Sequence, residues 1–165
     1  MPKKKKRGKR GKGSAFEREV AKLIVKAFAP FGIKQRECWR SVMSGGHSMS
    51  CGDLDLSDRL EKMFPYAVEC KFWKQIDWIH FLVRPDKRKA AWKETQWVQQ
   101  AVSSVKDRPE LIPLLVMKEN RGKIWAFYPV QMTSVKDYNW GVYGWKFTQF
   151  ANLLKMRVRM AQDAR

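Results

Sequence analysis

Gly52-Asp53-Leu54-Asp55-Leu56 and Tyr66-Ala67-Val68-Glu69-Cys70-Lys71 are the two stretches whose reading decides the fold. Each interleaves apolar and charged residues, the pattern of a strand whose successive side chains point to opposite faces. On the second, Glu69 and Lys71 project together while Val68 and Cys70 point the other way, into a core. On the first, Asp53 and Asp55 share a face. If the two strands pair, a carboxylate cluster and one ammonium converge on a single spot.

Working outward, Ser14-Ala15-Phe16-Glu17 has the Ser-x-x-Glu form of a capping box. Phe16, Val20, Leu23, Ile24, Ala27 and Phe28 follow at helical spacing, and Pro30 and Gly32 end the run, which predicts a helix over about 14–29. A strand is expected from Gln35 to Val42, then a Ser- and Gly-rich loop from Met43 to Cys51, then strands at Asp53 to Ser57 and Tyr66 to Phe72. Lys89 to Val105 reads as a second long helix. Leu111 to Lys118 and Lys123 to Val130 read as a hairpin joined through Asn120, Arg121 and Gly122, and a last amphipathic helix is expected from Thr148 to about Met160. The order helix, three strands, helix, two strands, helix implies an α/β or α+β fold with a mixed central β-sheet flanked by helices.

A chain of 165 residues with an apolar fraction of 44% is long and apolar enough for one domain with a substantial core. Its net charge of +18 favours polyanions, with nucleic acid the leading partner. Residues 1–12 hold eight of the 34 basic residues and no acid, so the remaining 26 against 16 acids leave +10 on residues 13–165, the expected single domain. The 1–12 segment, with Lys3, Lys4, Lys5, Lys6, Arg7, Lys9, Arg10 and Lys12, cannot bury apolar surface and is expected to be a disordered tail. It suits contact with a phosphate backbone. An address signal or a solubilising tail are the alternatives.

No apolar run reaches the roughly 18 residues of a membrane span, and no apolar segment follows the basic start, so the expected location is intracellular, the cytoplasm or nucleoid. Cys38, Cys51 and Cys70 are odd in number and irregularly spaced, against a disulfide framework. With His47 they also lack the paired spacing of zinc sites.

Phosphodiester hydrolysis needs negative ligands for a divalent cation, and a positive group to offset developing charge. Asp53 and Glu69 are the natural metal ligands, because Mg²⁺ takes a few carboxylates plus water and phosphate oxygens. Lys71 would activate water or balance charge. Glu17 could complete the metal site directly or through water, and Asp55 offers a competing carboxylate. Each signal has an ordinary alternative: a solvated Glu-x-Lys pair, turn aspartates, a capping glutamate.

Their joint order is more specific. From Lys12 the chain reads Lys-Gly-Ser-Ala-Phe-Glu-Arg-Glu-Val, then Trp39-Arg40-Ser41, then Gly-Asp-Leu-Asp-Leu, Val-Glu-Cys-Lys and Ile112-Pro113-Leu114-Leu115-Val116-Met117-Lys118. Over roughly residues 12–130 this series resembles the archaeal and bacteriophage Holliday junction resolvases of the PD-(D/E)XK nuclease superfamily. The resemblance implies a restriction-endonuclease-like core, with the first-helix glutamate at Glu17, the metal aspartate at Asp53 and the Glu-x-Lys pair at Glu69 and Lys71. It puts Ser41 and Ser44 in a loop near the cleaved phosphate, beside Arg40, another candidate DNA contact. It further implies a homodimer, Mg²⁺ or Mn²⁺ dependence, paired nicks across branched DNA and, for a phage-encoded chain, action in the host cell. Gln99 or Gln100 would assist the site. The chain departs from the pattern in having Gly-Asp where the family has Pro-Asp or Val-Asp, and Cys70 between Glu and Lys. The aromatics from Phe72 to Trp97 have no placed counterpart and are read as core or dimer contacts, with DNA stacking the alternative. Two further readings stay open: a nuclease of the same superfamily cutting duplex, flap or single-stranded DNA, and a basic nucleic-acid-binding protein whose carboxylates are structural.

Overall fold

The computed structural model describes residues 9–41, 51–76, 78, 93–129 and 145–164. Helix α1 spans Lys9–Phe28 and begins upstream of the expected capping box. Ser14 lies inside it, and a helix-interior residue cannot take the non-helical backbone of a cap. The helix runs back through Lys12, Gly11 and Arg10, residues expected to belong to the tail. Phe16, Val20, Ile24 and Phe28 form its buried stripe. At its end Pro30 sits in a short 3-10 turn, Ala29–Phe31, closed by Gly32 at φ 79°.

After another 3-10 turn, Gln35–Glu37, strand β1 covers only Cys38–Arg40 and pairs antiparallel with β2, Leu54–Leu56. A short helix, α2 (Asp58–Met63), follows where the sequence reading assigned no element; Ser57 Oγ caps it by accepting from Leu60 N at 3.3 Å. Strand β3 (Tyr66–Trp73) leads through helix α3 (Lys93–Ser103) to strand β4 (Ile112–Glu119), which lies parallel to β3, as a helical crossover demands. The expected helix start at Lys89 lies outside the described residues.

Every residue of β4 from Ile112 to Met117 is buried, the mark of a strand covered on both faces. Pro113 is tolerated there because β5 pairs with β4 only from Leu115 onward; a proline near a strand's start withholds no hydrogen bond the sheet needs. Strand β5 (Ile124–Pro129) returns antiparallel through the expected hairpin, where Arg121 takes φ 58° and Gly122 N donates to Glu119 O at 3.0 Å. Strand β6 (Trp145–Gln149) and helix α4 (Phe150–Asp163) complete the chain. Thr148, expected to open the last helix, is instead a strand residue paired with Ala126.

The result is an α+β fold: a mixed four-stranded sheet in the order β3-β4-β5-β6, with the β1-β2 ribbon beside it. Strand alternation sorts the core onto the two faces. On one, Val68, Cys70, Leu114, Val116 and Ala126 meet α1 and Leu153 and Leu154 of α4. On the other, Leu115, Met117, Phe127 and Trp145 meet Trp97 and Ala101 of α3. Among the described residues no helix is long and apolar enough to cross a membrane.

Candidate active site

The ribbon and the sheet meet at one seam. Gly52 bridges Val68 in parallel register, and Asp53 N donates to Val68 O at 2.8 Å. Gly52 takes φ 95°, and a Cβ there would stand 2.5 Å from Val68 O, so only glycine fits at this close approach. That is the physical reason for Gly-Asp in this chain. The next residue, Asp53, is thereby laid along the edge of β3, where its Oδ2 accepts from Cys70 N at 2.8 Å.

Strand alternation does the rest. Cys70 turns toward α1, while Glu69 and Lys71 turn to the opposite face. Glu69 is 2% exposed, and its Oε1 accepts from Lys71 Nζ. Burial pushes the Glu69 carboxyl from 4.5 up to about 7, helped by the Asp53 charge and a hydrogen bond between the two carboxyls, against the pull of Lys71. Two acids and an ammonium thus meet where expected, and the acids repel.

Glu17 stands apart. It approaches β3 from the α1 side, and its Oε2 accepts from Arg40 Nε rather than capping a helix. Burial holds the Cys70 thiol well above its usual range, and the charges of Asp53, Glu69 and then Glu17 push it the same way, while the charges acting on Glu69 are those of Asp53 and Lys71. Asp55 lies opposite Trp39 and adds to the burial that lifts the Cys38 thiol to about 12. Among the described residues no group of three or more His, Cys, Asp or Glu side chains is arranged to hold a metal. The donor set is a carboxylate pair.

Ser41 is buried, and its N donates to Asp53 O at 2.9 Å, which sets it directly beside the aspartate. Lys3, Lys4, Lys5, Lys6, Arg7 and Ser44 lie outside the described residues. Lys9, Arg10 and Lys12 fall on the first turns of α1. Gln99 and Gln100 are both exposed on α3. Two elements of the site escaped the sequence reading. The demand for glycine at position 52 was foreshadowed only by a Gly directly before the aspartate. The Glu17–Arg40 pair had no local signal.

A family model described as "Phage putative PDDEXK endonuclease" matches residues 8–158. No curated protein and no solved structure matches the chain.

Proposed function

The chain belongs to the phage PD-(D/E)XK endonuclease family, and we propose that within it this protein is a divalent-metal-dependent DNA endonuclease that resolves four-way junctions by paired nicks, acting as a homodimer. The observation that carries the reading is the meeting of Asp53, from the ribbon seam, with Glu69 and Lys71 of β3.

The donor set fits a hard divalent cation. Burial, and after it the Asp53 charge, lift Glu69 to about 7, a strain that bound positive charge relieves, and Mg²⁺ needs only one or two carboxylates when water and phosphate oxygens supply the rest. Mn²⁺ suits the same oxygens. When bound, such an ion polarises the phosphodiester and lowers the pKa of water. Asp53 is oriented by the Cys70 amide, and Glu69 sits on a strand paired with β4 on one side and fastened to the ribbon at the Gly52–Val68 seam on the other. Lys71, on the same strand face, offers an ammonium to the charge that builds on the phosphate or to the incoming water.

The order of motifs shared with the junction resolvases supports the branched substrate, and the basic excess on residues 13–165 supports DNA as partner. The test is cleavage of a synthetic four-way junction, a flap and a linear duplex of one sequence, each with Mg²⁺ and with EDTA. Mg²⁺-dependent cutting confined to the junction is expected. Equal cutting of the linear duplex would leave a nuclease and remove the junction assignment; no cutting of any DNA with Mg²⁺ or Mn²⁺ would favour a binding protein.

A further inference from the structure

We propose that Arg40 binds a backbone phosphate beside the scissile one, and that Glu17 is a positioning residue acting through Arg40 rather than a metal ligand. The proposal rests on the nuclease reading above and assigns roles within that site.

Arg40 is the last residue of β1, and the amide of the next residue, Ser41, is bonded to the backbone of Asp53. The guanidinium therefore springs from a backbone joined directly to the metal aspartate. Its side chain is 38% exposed, whereas Glu17 is 12% exposed, so an incoming polyanion reaches the arginine and not the glutamate. A guanidinium carries five N–H donors in a planar fork that matches phosphate oxygens. Glu17 engages Nε, which fixes the plane of that fork before substrate arrives.

Glu17 rides on α1, which packs on the Val68 and Cys70 face of β3, while strand alternation turns Glu69 to the other face. Among the described residues the three acids do not form a metal-holding group. A glutamate that is already ion-paired, on the far side of the strand from its supposed co-ligand, is better placed to orient the arginine.

The test uses full-length wild type, Glu17→Gln, Arg40→Ala, Arg40→Lys, the Glu17→Gln/Arg40→Ala double variant, and Asp53→Asn as the metal-site control. Mn²⁺ affinity is titrated by electron paramagnetic resonance without DNA. Junction affinity is measured in Ca²⁺, and KM and kcat in Mg²⁺. Glu17→Gln is expected to leave Mn²⁺ affinity within about twofold of wild type, since a part-exposed ion pair contributes little elsewhere, while Asp53→Asn weakens it clearly. Arg40→Ala should weaken junction binding and raise KM by about tenfold, the scale of one charge-assisted hydrogen bond, with Arg40→Lys restoring part of it. Glu17→Gln should weaken binding less, and add nothing on top of Arg40→Ala. Thermal melts accompany every variant, and if Arg40→Ala melts early the Arg40→Lys comparison carries the decision. Loss of Mn²⁺ affinity in Glu17→Gln equal to that in Asp53→Asn, additive effects in the double variant, or unchanged junction affinity in the Arg40 variants would overturn the proposal. Wild-type cleavage judges the nuclease reading separately, because the Mn²⁺ and Ca²⁺ measurements need none.

Discussion

Glu69 sits between opposing demands: the proposed metal site needs it ionised, and burial beside Asp53 resists that. Its folded pKa of about 7 lies above the ordinary 4.5, so the folded state holds this proton more tightly than the unfolded chain does. The resulting stabilisation is complete below about pH 4.5 and is lost as pH rises through about 7. Metal-free protein in EDTA should therefore melt at falling temperature across that window, and Glu69→Gln should flatten the trend and melt above wild type at pH 8. Added Mg²⁺ should raise the wild-type melting temperature at pH 8 and do so much less in Glu69→Gln, because a ligand that binds only the folded state stabilises it. A wild-type melt independent of pH in EDTA would contradict the carboxylate pair. If these residues form the proposed active site, Asp53→Asn, Glu69→Gln and Lys71→Ala should each reduce cleavage at least about a hundredfold while junction binding in Ca²⁺ persists, since affinity would come from distributed cations. Full activity in purified Asp53→Asn or Glu69→Gln would remove the assigned site.

At the scale of elements, the site depends on how the ribbon is fastened to the sheet. Replacing Gly52 with Ala puts a Cβ against the backbone oxygen of Val68 and forces a side chain onto φ 95°. We expect a loss of about 1–3 kcal/mol, the range for enforced backbone strain, in urea unfolding. Cleavage should fall further than stability, because the displaced residue is the neighbour of Asp53; Gly52→Ala with wild-type activity would mean that the seam does not set the aspartate. What sequence could reveal follows the same lines. Period-two alternation exposed Glu69 and Lys71 on one face of β3, and helical spacing exposed the buried stripe of α1 from Phe16 to Phe28. The hairpin residues Asn120, Arg121 and Gly122 marked the β4-β5 turn. Helix α2 has six residues, too few to establish a period. Strand β6 alternates, as Trp145-Lys146-Phe147-Thr148-Gln149, but Thr148 also suits a helix start. The Ser-x-x-Glu box is a local signal, and Ser14 lies inside α1 instead of at its start. Arg40 and Glu17 are separated by 23 residues, so only the packing of α1 over β1 brings them together.

For the whole molecule, the proposed encounter with DNA turns on charge and symmetry. Residues 1–8 carry five basic side chains ahead of α1, and residues 13–165 stay basic without them. Deleting 1–8 should preserve the fold while flattening the dependence of log affinity on log salt by up to about 4.5, since each phosphate-neutralising cation on duplex DNA contributes roughly 0.9. An unchanged slope would mean that the segment does not touch phosphate. Symmetry gives the last expectation. One site built from Asp53, Glu69 and Lys71 cuts one strand, yet resolving a four-way junction takes two symmetric nicks, so the resolvase reading requires two copies related by a two-fold axis. Sedimentation at micromolar concentration should show a dimer. A supercoiled plasmid with an extruded cruciform should then become linear within one binding event, because the second site is already in place when the first cuts. Mixing wild-type with inactive Asp53→Asn chains sharpens the measurement: heterodimers should nick the cruciform once and leave open circles, in proportion to the mixing ratio. A monomer in sedimentation, or linear product from the mixture in the same share as from wild type alone, would show that the two cuts are made independently and would take the paired-nick mechanism away from this nuclease.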